Sequence, residues 1–172
     1  MKKLLTIAAI AIMFCSFSEE THAQAFQKGT KNLNLGVGLG YGLGVNASFD
    51  VGINEIISVG AVGAFSSRNY GYLSSDFRVT YIGVGVRGAA HLGKYINDAL
   101  GVDDDKLDPY VGLVGGFRAV KYNDDYSTYY GGTSAGLLLG GFAGVRYYFK
   151  DKVGIYVEGG FPYSSLGVTF KF

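Results

Sequence analysis

Few residues in this 172-residue chain belong to the types that carry out catalysis. The sequence contains two histidines, His22 and His91, and one cysteine, Cys15. His22 and Cys15 fall in a predicted leader, so His91 is the only histidine that could act as a general base in the mature protein. A Ser-His mechanism also needs a serine placed beside that base, and the sequence places none there. We therefore expect no enzymatic activity.

Two other spacings resemble ligand-binding motifs. The segment 83–88 has the glycine spacing of a dinucleotide fingerprint, but it lies inside a predicted strand and no helix follows to receive a phosphate. Asp103, Asp104, Asp105 and Asp108 could offer oxygens to calcium, yet they lack the alternating spacing and the central glycine of an EF-hand loop. We interpret them as a solvated turn and expect neither a cofactor nor a metal.

Arg87, Arg146, Glu158 and Lys171 are charged residues that lie in the fourth, sixth, seventh and eighth predicted strands. Alternation turns all four toward the inside of the sheet, where an unpaired charge would be costly. Arg146 and Glu158 flank a short turn at 150–152, so their register permits a charge-assisted pair. We interpret the four as a polar network that fills and fixes a lumen. A proton or solute path through them is the alternative.

The elements that must position these side chains are β-strands, because apolar residues alternate with polar or small ones along most of the chain. In residues 32–41, for example, Leu33, Leu35 and Val37 oppose asparagines and glycines. The predicted strands are 32–41, 45–52, 57–66, 77–91, 110–121, 135–149, 153–161 and 165–172. One or two helical turns are predicted at 94–101. Eight strands of about ten residues leave about nine residues per connection, as in a small antiparallel barrel.

The composition favours a barrel that faces lipid. Charged residues are only 17% of the chain, while glycine (28), tyrosine (14) and phenylalanine (12) are abundant. No apolar stretch beyond the leader is long enough for a spanning helix, and a closed barrel is the other structure that satisfies every backbone group in lipid. A soluble sandwich or lipocalin-like barrel would need a solvated face richer in charge. The net charge of +1 predicts no nucleic-acid binding.

Residues 1–25 have the pattern of a cleavable signal peptide. Lys2 and Lys3 precede an apolar run, and Ala23 and Ala25 offer small residues for cleavage after either one. A lipoprotein anchor at Cys15 is the alternative, but the preceding Phe14 is larger than such a site prefers. The sequence thus predicts two parts: a signal peptide at 1–25 and a β-barrel domain at 26–172.

The C-terminal strand carries a second pattern. Ser165 is followed by Gly167, and aromatic residues occupy the third-from-last and last positions, Phe170 and Phe172. This arrangement resembles the assembly signal of outer-membrane barrels, which implies the barrel assembly machinery as a partner during biogenesis.

The segments 81–88, 107–112, 144–149 and 156–158 extend this likeness along the chain. With them, the chain resembles the small outer-membrane β-barrels of OmpA and OmpX type, particularly the glycine- and tyrosine-rich versions of Bacteroidetes. The resemblance implies an all-β, eight-stranded, up-and-down transmembrane barrel in the outer membrane of a Gram-negative cell, in contact with outer-membrane lipid and lipopolysaccharide. It implies a structural or surface-interaction function. A narrow porin-like conduit for small solutes is the alternative.

Tyrosines concentrate near the predicted outer loops at 68–76 and 123–134: Tyr70, Tyr72, Tyr126, Tyr129 and Tyr130. They could form the interfacial aromatic girdle of a membrane barrel or a recognition surface for a partner that the sequence does not name. An even strand count puts both termini in the periplasm, together with the long connection at 92–108 and with His91 at the rim.

Overall fold

The computed structural model describes residues 26–40, 43–72, 75–100, 106–123 and 132–172, so the predicted signal peptide at 1–25 lies outside the described residues. The elements are β1 (Lys31–Leu39), β2 (Leu43–Gly52), β3 (Ile57–Tyr72), β4 (Ser75–His91), α1 (Gly93–Leu100), β5 (Leu107–Asn123), β6 (Thr133–Lys150), β7 (Val153–Phe161) and β8 (Ser164–Lys171). Each strand pairs antiparallel with the next, and β8 pairs with β1. The predicted closed, eight-stranded, up-and-down barrel is confirmed.

The two faces of each strand follow the alternation in the sequence. On β4, Ile82 and Val84 point outward and are 50% and 57% exposed, whereas Tyr81 and Arg87 point inward and are 3% and 4% exposed. The other strands repeat this arrangement, with apolar side chains outside and many polar ones inside. A polar interior with an apolar exterior is the arrangement of a membrane barrel and the reverse of a water-soluble one.

The strands are of two lengths. β3 to β6 have 16 to 18 residues each, while β1, β2, β7 and β8 have 8 to 10. We call the end that carries both chain termini the terminal end, and the opposite one the far end. β3 continues for six residues beyond Ser66, the last residue that pairs with β2, and β6 begins eight residues before Gly141, the first that pairs with β7. At about 3.4 Å per residue, the strands of half of the barrel therefore continue for about 20 Å of strand length beyond the rest at the far end.

This projecting half consists of residues 67–72, 75–80, 118–123 and 133–140. It corrects the expectation that 68–76 is a loop, because β3 runs to Tyr72 and β4 begins at Ser75. The predicted loop at 123–134 is shortened from both ends in the same way. Strand pairing continues here because backbone hydrogen bonds need no apolar face, so polar residues such as Arg68 and Asn69 can belong to the ladder.

The terminal end holds the predicted helix and a turn before β1. α1 fills the connection between β4 and β5, in agreement with the helical turns predicted at 94–101. Among the described residues, no helix is long and apolar enough to cross a membrane. In the turn at 26–30, the Gly29 N–H donates to the Gly52 carbonyl (2.9 Å) and the Gly52 N–H to the Thr30 carbonyl (2.8 Å). Gly29 has a φ of +86°, a conformation that favours glycine.

Candidate functional site

A cluster of buried charged side chains crosses the lumen. It contains three carboxylates and two guanidinium groups, supplied by five different strands: Asp50 of β2, Arg87 of β4, Asp108 of β5, Arg146 of β6 and Glu158 of β7. We call these five residues the lumen cluster. Each side chain is at most 2% exposed, so water cannot satisfy the charges and they must satisfy one another.

Arg146 has three partners on three strands. Its Nη2 lies 2.6 Å from Oδ2 of Asp50, and its Nη1 lies 3.0 Å from Oδ2 of Asp108. Its Nε donates to Oδ1 of Asn34 at 3.2 Å. The planar guanidinium can hold several acceptors at once because its five N–H groups diverge in one plane. At 0% exposure, Arg146 joins β1, β2 and β5 through one side chain of β6.

Arg87 and Glu158 form the second ion pair of the cluster. Nη2 and Nη1 of Arg87 donate to the two carboxylate oxygens of Glu158 at 2.6 and 3.2 Å, which makes the pair bidentate. Nε of Arg87 also lies 3.1 Å from Oδ1 of Asp50. Asp50 therefore touches both arginines and connects the two ion pairs.

This arrangement corrects the expected pairing of Arg146 with Glu158. In the β6–β7 register Glu158 stands opposite Gly144, and Arg146 stands two residues farther toward the terminal end, opposite Tyr156. The long side chain of Arg87 instead reaches Glu158 across the lumen from β4, a strand that does not neighbour β7. The inward orientation predicted for these three residues is confirmed, while the partner was wrong.

Aromatic rings cover the cations of the cluster. Cζ of Arg87 lies 3.9 Å from the ring centre of Phe142, and Cζ of Arg146 lies 4.3 Å from that of Tyr110. The Tyr110 hydroxyl donates to Oε2 of Glu158 at 3.0 Å. These contacts add cation–π attraction and remove space that water would otherwise fill.

Lys171, the fourth residue of the predicted network, contacts an aromatic ring. Its Nζ is 4.9 Å from the ring centre of Tyr148, near the terminal end. The Tyr148 hydroxyl donates to Oδ1 of Asn32 at 3.0 Å. Lys171 thus faces the lumen as predicted, and its contact with Tyr148 lies nearer the terminal end than the lumen cluster.

His91 extends the cluster to the terminal end. Its Nδ1 lies 2.7 Å from Oδ1 of Asp108, and its Nε2 lies 2.9 Å from Oγ of Ser58. Asp108 was expected in a solvated turn with Asp103 to Asp105, which lie outside the described residues. It is instead buried near the start of β5, because that strand begins at Leu107 and its alternation turns Asp108 inward. The expectation that no serine stands beside His91 was also wrong.

Ser58, His91 and Asp108 thus have the order of hydrogen bonds found in a serine nucleophile, its base and the orienting acid. Their surroundings differ from those of a working site. Ser58 is 1% exposed, and the other oxygen of Asp108 is held by Arg146. The β3 backbone around Ser58 is paired in the ladders with β2 and β4, so its N–H groups point along the sheet and not into the lumen as oxyanion donors.

Inward glycines make room for the large side chains of the lumen. A Cβ on Gly144 would collide with the ring of Tyr110, and one on Gly36 would collide with the hydroxyl of Tyr156. The Tyr156 hydroxyl instead donates to Oδ1 of Asn46 at 2.9 Å. The small residues are therefore part of how the lumen is filled.

The proposed assembly-signal residues Ser165, Gly167 and Phe170 lie on the strand that closes the barrel, and Phe172 directly follows it. β8 pairs with β1 from Ser164 opposite Leu39 to Lys171 opposite Asn32. Ser165 is buried, and Phe172 is 62% exposed at the terminal end. Among the possible recognition residues, Tyr70 and Tyr72 lie in β3, while Tyr126, Tyr129 and Tyr130 lie outside the described residues.

Solved structures with the same fold are small outer-membrane barrels. OprG from Pseudomonas aeruginosa is 11% identical, with a TM-score of 0.59, over 87% of this chain and 99% of its own. Ail, the attachment invasion locus protein of Yersinia pestis in complex with the heparin analogue sucrose octasulfate, is 14% identical, with a TM-score of 0.54, over 85% of this chain and 100% of its own. The N-terminal β-barrel domain of Pseudomonas aeruginosa OprF is 14% identical, with a TM-score of 0.52, over 84% and 98%.

No protein-family model and no curated protein sequence matches the chain. At the identities of the solved structures, the likeness shows the fold alone. The resemblance to barrels of OmpA and OmpX type is therefore confirmed at the level of the fold, and the Bacteroidetes subgroup stays a prediction.

Proposed function

We propose that this protein is a non-enzymatic outer-membrane β-barrel that is exported through its signal peptide, with a filled lumen and a structural or surface-interaction role. The observation that carries the proposal is Arg146, fully buried and bound to Asn34, Asp50 and Asp108 of three other strands. A side chain with these three partners extends across the lumen and is held at both sides of it. An eight-stranded barrel has little interior beyond what such side chains occupy.

Conductance in planar bilayers tests the filled lumen. We expect the purified wild-type barrel to insert without sustained ion current, because the lumen cluster fills its cross-section. As a positive control, the triple change Arg87→Ala, Arg146→Ala and Glu158→Ala should remove three long side chains from the lumen and raise the frequency of current steps. Sustained current through the folded wild type would overturn the proposal and favour the porin-like conduit.

The location is tested by fractionation. The outward apolar face supports a place in lipid, and the fold is that of outer-membrane barrels. We expect the protein to fractionate with the outer membrane and to change its electrophoretic mobility on heating in detergent, as closed barrels do. Recovery from the soluble periplasm would contradict the proposed location.

The projecting half suggests where the barrel meets other molecules. Outward residues that stand side by side on neighbouring strands form rows, and these rows change from apolar to polar toward the far end. Phe65, Ile82, Ala119 and Ala135 form an apolar row, and the next row toward the far end contains Ser67, Thr80, Lys121 and Thr133. Asn69 and Arg78 follow. Among the described side chains of these two polar rows, two are cationic and none is acidic.

The spacing of these rows fits the depth of lipid headgroups. One row of outward residues is about 7 Å from the next along a strand, so the cations stand just above the apolar belt. Nε of Arg78 donates to Oδ1 of Asn69 at 2.9 Å, which orients the guanidinium on the outward face. Arginine and lysine at this depth attract phosphate. We therefore propose the phosphates of lipopolysaccharide in the outer leaflet as partners of Arg78 and Lys121.

Binding of lipid A tests this partner. The double change Arg78→Gln with Lys121→Gln should weaken retention of lipid A by the purified barrel about tenfold, and dephosphorylated lipid A should bind the wild type equally weakly. Lys150→Gln, at the terminal end, is the matched control and should bind as the wild type does. Equal retention by all variants would contradict the headgroup site and leave the filled lumen unaffected.

A further inference from the structure

The lumen has a recess at the far end of the short strands. Its volume is about 280 Å³, with the open mouth included. The walls come from β1 to β4 and from the turn between β7 and β8. Small residues occupy the inward positions here, namely Gly38, Gly40, Gly44 and Ala64. Because no longer side chain fills these positions, the lumen stays open at this level, whereas it is packed around the lumen cluster.

Close approach of the backbone explains why two of these positions are glycine. A Cβ on Gly44 would lie 2.6 Å from Cβ of Ser66, and one on Gly40 would lie 2.8 Å from the carbonyl oxygen of Pro162. Any larger residue would have to displace a paired strand or a turn. The shape of the recess is therefore set by the backbone of the barrel and does not depend on a flexible side chain.

Two tyrosines supply apolar surface to the recess. Tyr81 belongs to the buried apolar cluster of the lumen, and Tyr163 packs against that cluster. On the β2 side, Oδ1 of Asn46 accepts a hydrogen bond from the Tyr156 hydroxyl at 2.9 Å. The recess thus ends on packed side chains, and a molecule that enters it has no path to the terminal end.

One polar atom of the recess is left without a hydrogen bond. Ser66 is only 7% exposed, and the described residues offer no partner to its Oγ. A buried hydroxyl in this condition is unfavourable and uncommon in folded proteins. Since Ser66 lines the recess, a molecule bound there can complete the hydrogen bonding of this hydroxyl.

We propose that the recess binds a compact, uncharged, mainly apolar molecule about as large as one six-membered ring, with one polar group bonded to Oγ of Ser66. The described lining residues include no charged side chain, so a charged ligand would lose its hydration without gaining a partner. A ring can pack against Tyr81 and Tyr163. The volume is near the lower limit of small-molecule pockets, which restricts the ligand to about this size.

Phenol is the probe, because it combines one ring with one hydroxyl. With the mature barrel in lipid nanodiscs, we expect the amide NMR signals of Gly40, Gly44 and Ser66 to shift saturably, with a dissociation constant on the order of 1 mM. Phenol that only dissolves in the lipid would shift outward residues on all strands without saturation. Benzoate, which carries a charge on the same ring, should bind about tenfold more weakly. Absence of saturable shifts at these three amides, or equal binding of benzoate, would overturn the proposal.

Removal of the hydroxyl tests the polar contact. Ser66→Ala should weaken phenol binding about fivefold, because one hydrogen bond is lost while the recess keeps its shape. Ser67→Ala, at the next position on the outward face of β3, is the matched control and should bind as the wild type does. Both variants are compared as folded, heat-modifiable barrels. Binding to Ser66→Ala at wild-type strength would show that this hydroxyl does not hold the ligand and would contradict the proposed site.

A thiol at the same position gives a second readout. The only cysteine of the chain, Cys15, lies in the predicted signal peptide, so Ser66→Cys puts a single thiol into the mature barrel. We expect methyl methanethiosulfonate to modify this thiol, and 10 mM phenol to slow the reaction about tenfold, since about nine tenths of the sites are then occupied. Phenol should not change the rate for Ser67→Cys. Equal rates for Ser66→Cys with and without phenol would contradict binding in the recess.

Discussion

The carboxylate of Asp108 lies between His91 and Arg146, with Oδ1 2.7 Å from Nδ1 of the histidine and Oδ2 3.0 Å from Nη1 of the arginine. One short side chain of β5 thereby connects β4 to β6 inside the barrel. Both oxygens are used as acceptors or ion-pair partners, and an amide at this position would keep only one oxygen and no negative charge.

Asp108→Asn should therefore destabilise the barrel. The amide keeps the shape but removes the charge opposite Arg146, and losing one partner of a buried ion pair costs roughly 3 to 5 kcal/mol in soluble proteins. We expect the free energy of unfolding in urea, measured in detergent micelles, to fall by about that amount. Asp151→Asn in the β6–β7 turn is the control and should change it by less than about 0.5 kcal/mol. Equal effects of the two changes would show that Asp108 does not support Arg146.

The glycines of the lumen give a prediction about packing. Gly144→Ala should destabilise the barrel, because the new methyl group would overlap the ring of Tyr110 and the carbonyl of Val157. Overpacking of this kind typically costs about 1 to 3 kcal/mol. Gly159→Ala is the matched control on the neighbouring strand, where an added Cβ meets nothing within 4 Å. It should be neutral or slightly stabilising in urea unfolding. A Gly144→Ala barrel as stable as the control would mean that Tyr110 moves freely.

The C-terminal aromatics give a prediction about assembly. Phe172→Asp should leave export intact but lower the amount of folded, heat-modifiable barrel in cells that express it at a low level. The reason is that β8 must find β1 to close the barrel, and the assembly machinery is expected to recognise the terminal aromatic. Phe172→Tyr keeps an aromatic ring and should assemble normally. Normal assembly of Phe172→Asp would show that the motif is coincidental.

Alternation in the sequence predicted which way Arg87, Arg146 and Glu158 point, because side-chain direction along a strand depends only on local geometry. It could not predict their partners. Register places neighbouring strands side by side, whereas Arg87 reaches Glu158 across the lumen, at a distance that depends on closure of the whole barrel. Asp50 has the inward phase of its strand, but its contact with both arginines depends on the same closure.

Strand ends were predicted less well than strand faces. The predicted third strand ended at Ser66 and the fourth began at residue 77, where apolar alternation stops. Pairing nevertheless continues through Tyr72 and from Ser75, because backbone hydrogen bonds hold the ladder where apolar residues no longer alternate. For the same reason Asp108 was predicted to lie in a turn: it follows an acidic stretch and precedes the first clear apolar alternation of β5. Its spacing does indicate the inward orientation, because it lies two residues before Tyr110, which points inward, and one after Leu107.

If specific ion pairs across the lumen fix this barrel, a double-mutant cycle between Arg87 and Glu158 shows it most directly. The change in the free energy of unfolding would be measured in urea for Arg87→Ala, Glu158→Ala and the double variant, with Arg146→Ala and Glu158→Ala as the comparison cycle. We expect a coupling of about 1 to 3 kcal/mol between Arg87 and Glu158 and a clearly smaller one between Arg146 and Glu158. Strictly additive effects for Arg87 and Glu158, or a larger coupling of Glu158 to Arg146, would contradict the account.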